Sequence, residues 1–598
     1  MIHALNFYLA SLLITPVFRE FEYGIARMFS LLVLSSATFA LSIFLPFKTA
    51  FYISFSAMLL ISILRIKDFK IPKEEAVFAA TYSFFTILRF VDPTILDAEK
   101  FMDMAFVNSI LKATSMPPDD PFMAGMKLDC YYYFGHVIAA TIVMMSFAPP
   151  EIGYNVAVAA IPAYSALLFY EFSRSLRWTI LALFSGNLFA VVDLVDRIAR
   201  ARPIDGSYYW NATRVIEGTI NEFPYFSFIH ADLHAHVIAI PLVLLLFVSL
   251  QKRRYEVLPL TLFAIFASNT WYFPLSLLLV VGTFDRKVIA YSSLSFIPIL
   301  AFYLSMNTPA AKVEFVGEKS DPLQFLLYAA FPLAVCYLST DRRALYSLPI
   351  AIAASTASPI LALLIPVLFT KRQSLPFAVA AFAAFTIPEF VAVESRMNTV
   401  FKFYLFGWLS AYAAASLSVE RKKLLTVLLA LSLVYPVVAT PVRYHEFENT
   451  LDGMNFVRSY GEYEALKWLQ ERRGVVIEEG CSKILCAYHY GGRVAAFTGN
   501  PAVIAWTNHE YVWRRDMKEI VERSRDVESF YRAESCDEMW RIVEKYNVSY
   551  IFVGVEEERV FGVKAEKFER CFEKVFEDVN AVVFSAKDKK SSEVFEHG

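Results

Sequence analysis

Apolar runs of roughly 14–20 residues, parted by short loops, recur from the start of the chain to Thr440 and then stop. Runs of that length match the hydrocarbon core of a bilayer. Inside it a backbone can satisfy its polar groups only as packed helices or a closed barrel. Composition agrees, since 57% of the 598 residues are hydrophobic and only 19% are charged, below the quarter usual in soluble domains. A net charge of −2 leaves no broad basic surface, which argues against nucleic acid as a partner. The first run lacks a basic n-region and a small-residue cleavage site, so it is expected to remain a membrane helix.

Beyond Thr440 the pattern is that of a soluble α/β domain. Glu462 to Arg473 is amphipathic at helical spacing. Val494 to Phe497 and Val548 to Val553 have the look of short buried strands, and Met539 to Tyr546 of a helix before the second. The expected fold is an all-α polytopic membrane bundle over residues 1–440, of about 16 spans, with a soluble α/β domain over 441–598.

Basic loops stay cytoplasmic. Arg65-Ile-Lys67-Asp-Phe-Lys70, Lys252-Arg253-Arg254, Asp285-Arg286-Lys287, Arg342-Arg343, Lys371-Arg372 and Arg421-Lys422-Lys423 are therefore placed inside. Loops of about 91–131 and 199–236 then face out, with Asn307 to Pro322, Phe390 to Val400 and the C-terminal domain, reached by a last span, Leu424 to Thr440. Three apolar runs between Tyr131 and Leu194 would break this parity. It is restored if 132–147 is short or re-entrant. The expected location is the cell membrane, multi-pass, with an extracytoplasmic C-terminal domain. Of six cysteines, Cys481 and Cys486 are spaced for a local disulfide if outside, or for two unpaired thiols.

The polar motifs crowd the outer loops. His230-Ala-Asp232-Leu-His234-Ala-His236 abuts the run Val237 to Leu250 and holds three of the nine histidines. Ionisable groups beside a span mark working sites. Three readings stand: Asp232 caps the next span; Asp232, His234 and His236 hold a divalent cation; or the cluster contacts a phosphate or sugar. No HExxH or other closed zinc spacing is present. In the first loop Glu99 and Asp103, four apart, share a helix face, with Asp97 as cap. Asp119-Asp120 after two prolines reads as a turn with Asp capping a helix. Tyr131-Tyr132-Tyr133-Phe-Gly135-His136 is either an aromatic belt or a hydroxyl-bearing platform for a headgroup. Arg214 suits a phosphate. Asn269 and Trp271 suit a sugar or an interfacial anchor. Arg396 and Lys402 are basic on the otherwise non-basic side, so they need an anion: a lipid phosphate, or Glu389 or Glu394.

Taken in order, Glu99-Lys100-Phe-Met-Asp103, the triple tyrosine with Gly135-His136, Glu222-Phe-Pro-Tyr-Phe-Ser-Phe with Ala231 to His236, Asn269-Thr-Trp271, and Arg396-Met-Asn-Thr-Val-Phe-Lys402-Phe-Tyr404 resemble the archaeal and chloroflexal "YYY" integral membrane proteins, a family without an assigned function. The resemblance covers about residues 1–460. Its layout is similar to the GT-C glycosyltransferases, which use polyprenyl-phosphate sugars. The tail, with Gly461-Glu-Tyr-Glu, Phe497-Thr-Gly499 and Trp506-Thr-Asn-His509 to Trp513, is GT-C-like too. Phe101 stands where the family usually has Pro, and no DxD metal motif is present.

The resemblance implies an inverting sugar transfer at the outer face, from a polyprenyl-phosphate donor to a glycan, protein or lipid acceptor. In that scheme Asp103 is the base, with Glu99 as alternate or support. Arg214, Arg396 and His234 are the main phosphate ligands. Tyr132, His136 and Asp232 line the sugar pocket, with Tyr133, His230, His236, Asn269, Trp271 and Lys402 as further donor contacts. No cofactor is required, although a divalent cation is possible. A metal-dependent hydrolase built on the His/Asp cluster and a transporter are the alternatives. No inverted repeat supports the transporter.

Overall fold

The computed structural model describes residues 1–67, 69–419, 422–481 and 483–586. Arg421, expected in an inner basic loop, lies outside them. Among the described residues seven helices are long and apolar enough to cross a membrane: Tyr23–Ser42, Phe47–Arg65, Pro150–Ser173, Ala235–Lys252, Arg286–Leu304, Pro322–Ser339 and Leu424–Arg443. Leu176–Leu183 and Leu188–Ala199, bent by 70° at their junction, make an eighth if taken as one span. Five shorter apolar helices join them: Ile2–Phe18, Phe134–Ser146, Tyr255–Ser268, Thr270–Gly282 and Leu375–Glu389. Among the described residues the expected count of about 16 is not reached. Proline is one reason. Around Pro359 and Pro366 an apolar stretch breaks into Leu348–Ala354, Leu361–Leu364 and a 3-10 turn.

The bundle has two chemically distinct poles. At one, Arg19 donates to the carbonyls of Arg65 and Lys67, Arg254 pairs with Glu22, and Arg174 bridges Glu74 and Glu171. The helix Phe47–Arg65 runs from there to the other pole, about 28 Å away. There Phe47 N–H donates to Ala113, just past the helix Lys100–Lys112. Phe134–Ser146 lies alongside Lys100–Lys112. Asp103 meets His136 near the start of both, and Leu111, Lys112, Val143 and Met144 line one cavity near their ends.

The C-terminal domain sits on this pole. Its four-stranded sheet runs in the order Val475–Ile477, Val548–Val553, Val582–Ser585, Glu573–Glu577, the first pair parallel and the others antiparallel. Val494 to Phe497, expected as a strand, is the helix Arg493–Thr498. Four apolar residues carry no decisive period. Gly492 and Gly499, at φ 88° and 65°, bracket that helix at both ends. Arg493 is fully buried among Glu462 (2.6 Å), Glu557 (2.8 Å) and Glu478 (3.8 Å). Disulfides join Cys481 to Cys486 and Cys536 to Cys571, while Cys130 and Cys336 are free and buried.

The first polar loop is clamped between the two parts. Asn108 Nδ2 donates to the carbonyls of Ala496 (2.8 Å) and Phe497 (3.1 Å). Ala124 N–H donates to Ala502, whose own N–H donates to Pro121. Asp120 forms the expected turn by accepting from Phe122 N–H, but caps no helix; it pairs with Arg514.

Candidate functional site

The helix Lys100–Lys112 opens after two residues in the left-handed region, Asp97 (φ 77°) and Ala98 (φ 45°). That geometry removes Asp97 from the cap position, which Glu99 takes without capping by its side chain. The Glu99 carboxylate reaches instead to the C-terminal domain. His509 Nε2 lies 2.7 Å from one oxygen, and Tyr488 OH donates to the other at 2.9 Å. One turn on, Asp103 is fully buried and joined to His136 at 2.9 Å. Asp232 accepts weakly from Glu99 N–H, at 3.4 Å, and lies 3.9 Å from His230.

Opposite stand the groups of two helices. His234, at the start of Ala235–Lys252, lies 3.4 Å from the ammonium of Lys402 on Arg396–Ser416. His236 meets Glu222 at 3.1 Å. Lys402 interacts electrostatically with Glu222, Glu99, Asp103 and Asp232, yet among the described residues no carboxylate oxygen lies within 4.0 Å of it.

Crowding sorts the carboxyls. Burial, reinforced by Glu99, raises Asp103 well above the usual range. Burial, reinforced by Asp103, does the same to Asp232. Burial pushes Glu99 up as well, but the charge and hydrogen bond of His509, with His234 and Tyr488, outweigh it and hold Glu99 at about 2. Burial and the Lys402 charge keep His234 neutral. Glu99 is thus set apart from Asp103 and Asp232, whose shifts run the opposite way, a separation of the kind that acid–base chemistry uses. Asp103 Oδ2, Asp232 Oδ1, His234 Nδ1, His236 Nδ1 and Asn269 Nδ2 are buried without a hydrogen-bond partner. Such atoms are costly unless a polar ligand meets them.

The other expected residues divide. Tyr132 stacks on Tyr131 at 4.3 Å, interacts with Trp271, and stays partly exposed. Tyr133, expected at the donor, is 1% exposed and packs on Phe39 and Phe302, so it belongs to the core. His230 is held by Tyr209 OH at 2.7 Å and stacks on Phe226, a structural placement. Asn269 accepts from Trp271 N–H. Arg214 lies over the Trp210 ring at 4.3 Å and has no acid partner among the described residues. Arg396, expected as a phosphate ligand, is engaged by Glu389 (3.6 Å) and Ser320 Oγ (2.9 Å). It sits about 9 Å along its helix from Lys402, which is the free cation nearer the carboxylates. Asp232, His234 and His236 do not gather as metal ligands. Among the described residues only Glu479, His489 and Glu556 bring three donor atoms within 4.8 Å of one another, and there Arg559 already binds Glu556 and His489. Sequence reasoning did not place His509 and Tyr488 in the site. The only signal was the aromatic company of His509, between Trp506 and Trp513.

Fold and site together describe a membrane protein with several apolar helices and a polar centre that the C-terminal domain contacts through His509 and Tyr488. Residues 23–409 match the family described as uncharacterized membrane protein (DUF2298), and the chain belongs to that family. No curated protein matches it. Among solved structures it is similar to the Archaeoglobus fulgidus oligosaccharyltransferase tethered to an acceptor peptide containing an NVT sequon. That match has 12% identity and a TM-score of 0.37, and it covers 85% of this chain and 74% of that one. It is also similar to the archaeal oligosaccharyltransferase AglB of the same organism, in complex with an inhibitory peptide and a dolichol-phosphate. There the identity is 12% and the TM-score 0.21, over 97% of this chain and 74% of that one.

Proposed function

We propose that the protein is a membrane glycosyltransferase. It moves a sugar from a polyprenyl-phosphate-linked donor to an acceptor hydroxyl at the outer membrane face, with inversion. The observation that carries this reading is that Glu99, held well below the usual carboxylate range, interacts electrostatically across the site with Lys402, which has no carboxylate oxygen within 4.0 Å among the described residues and lies beside His234. Glu99 takes the role of base expected for Asp103. Its side chain is 21% exposed, whereas that of Asp103 has no exposed surface and is raised well above the usual carboxylate range by burial. A base must reach the proton it abstracts.

Glu99 accepts the acceptor's hydroxyl proton as that oxygen bonds to the anomeric carbon. The bond from that carbon to the phosphate oxygen breaks, and the phosphate leaves with the electron pair. Lys402 stabilises the leaving charge, with Arg214 as a further cation; such electrostatic help is commonly the largest catalytic contribution. Asp103 and His136 support Glu99 from below. Tyr132, Trp271 and Asn269 flank the sugar. The two lysine and arginine cations perform the task a divalent ion would, so no metal is required.

The test is sugar release from short-chain prenyl-phosphate sugars by the purified protein in nanodiscs. Glu99→Gln is expected to lower turnover by about 10²–10⁴-fold while leaving donor binding intact. Undiminished turnover in Glu99→Gln, or no release from any sugar tried, would overturn the proposal.

A further inference from the structure

The cavity lined by Leu111, Lys112, Val143 and Met144, of about 240 Å³, lies at the far end of the helix Lys100–Lys112 from Glu99. It is smaller than the roughly 300–1,000 Å³ of sites for drug-sized ligands. Its floor is apolar, formed by Leu111, Val143, Met144 and Pro150. Two ammonium groups line it, Lys48 and Lys112. Lys112 donates only to neutral oxygens, the Arg472 carbonyl at 2.6 Å and Asn500 Oδ1 at 2.9 Å. Lys48 is exposed and has no polar partner among the described residues. The one acid at the rim, Glu471, is 84% exposed and approaches Arg472 instead. Glu151, at the start of the neighbouring helix, is taken by Lys467 and Gln470. Burial and the nearby charges of Arg473 and Lys48 hold the Lys112 ammonium down to about 7, the mark of positive charge without a counterion.

We infer that this cavity is a binding site for an anionic group, phosphate-like, seated on Lys48 and Lys112. Any apolar stem attached to it lies along Leu111, Val143 and Met144. The lining suits the headgroup and first carbons of a membrane amphiphile, and equally admits a free phosphate. The site is separate from the carboxylate centre and does not depend on the sugar-transfer reading.

The experiment measures binding to the full-length protein in nanodiscs of neutral lipid, by native mass spectrometry and thermal shift. Three probes are compared: citronellyl phosphate, inorganic phosphate and citronellol. Lys48→Glu, at an exposed position, is expected to weaken citronellyl phosphate by at least tenfold. Ala148→Trp, which fills the rim, is expected to abolish binding. Tighter binding of citronellyl phosphate than of inorganic phosphate assigns the site to a lipid headgroup; equal binding assigns it to the free anion. Binding of citronellol as tight as that of citronellyl phosphate, or indifference to both substitutions in folded protein, would overturn the inference.

Discussion

Replacing His509 with alanine is expected to change when Glu99 carries its charge. Glu99 sits at about 2 against an ordinary value of 4.5, a gap of about 2.5 pH units. At about 1.4 kcal/mol per unit this amounts to ~3.5 kcal/mol. The side chain is only 21% exposed, so solvent screening removes little of it. His509 leads the groups that lower Glu99, ahead of His234 and Tyr488, so about 2 kcal/mol falls to it, within the range for hydrogen bonds to charged groups. The folded value is depressed. The resulting stability is therefore present above pH 4.5 and lost as pH falls from 4.5 through about 2. In His509→Ala the burial penalty remains while its main compensation is gone, so the carboxyl titrates higher. The acid limb of the kcat profile should move up by more than one pH unit. His509→Gln, which still donates a hydrogen bond, should recover part of that displacement. A double-mutant cycle of His509→Ala with Glu99→Gln, read by unfolding at pH 7, should show about 2 kcal/mol of coupling. An acid limb that stays put, with coupling below ~0.5 kcal/mol, would refute the reasoning.

Asp103→Asn should cost less than tenfold in turnover, because Asp103 is fully buried and its carboxyl is raised well above the usual range, which suits it poorly as a base; a loss matching Glu99→Gln would return the base to Asp103. Lys402→Met should lower kcat/KM for the donor by roughly 10–100-fold, and an unchanged value would remove Lys402 from the phosphate. Arg493→Met strands three buried carboxylates and should destabilise the C-terminal domain by about 3–5 kcal/mol in chemical denaturation; a shift under 1 kcal/mol would show those carboxyls already neutral. Cysteines introduced at Ser459 and Gly206, both exposed, should react with an impermeant thiol reagent in intact cells, and labelling of both only after permeabilisation would reverse the orientation proposed from the basic loops.

What the sequence revealed depended on the range of the interaction. Val548–Val553 is the strand its β-branched run implies, and Leu424 to Thr440 is helical and apolar as expected. These features are local, set by composition and period. Val494 to Phe497 failed because four residues cannot show a period, and glycines outside the run decided the outcome. Glu99 and Asp103 were found from their spacing, but their opposite shifts were not, since that of Glu99 depends on His509, 410 positions away, and that of Asp103 on burial in the folded protein. Tyr132 and Tyr133 were indistinguishable as letters. The turn into Phe134–Ser146 left the first partly exposed and sent the second into the core.

The clamp of the first polar loop by the C-terminal domain has a consequence for how the protein is made. Glu99 and Asp103 leave the ribosome well before Tyr488, His509 and Arg514, which follow some hundreds of positions later, Glu99 and His509 being 410 apart. During that interval the membrane part holds its carboxyls without their partners, and Asp120 lacks its guanidinium. The nascent bundle is therefore expected to be inert and loosely held at that pole until the final domain docks. A chain truncated after Thr440 is then expected to be a substrate for proteolytic quality control.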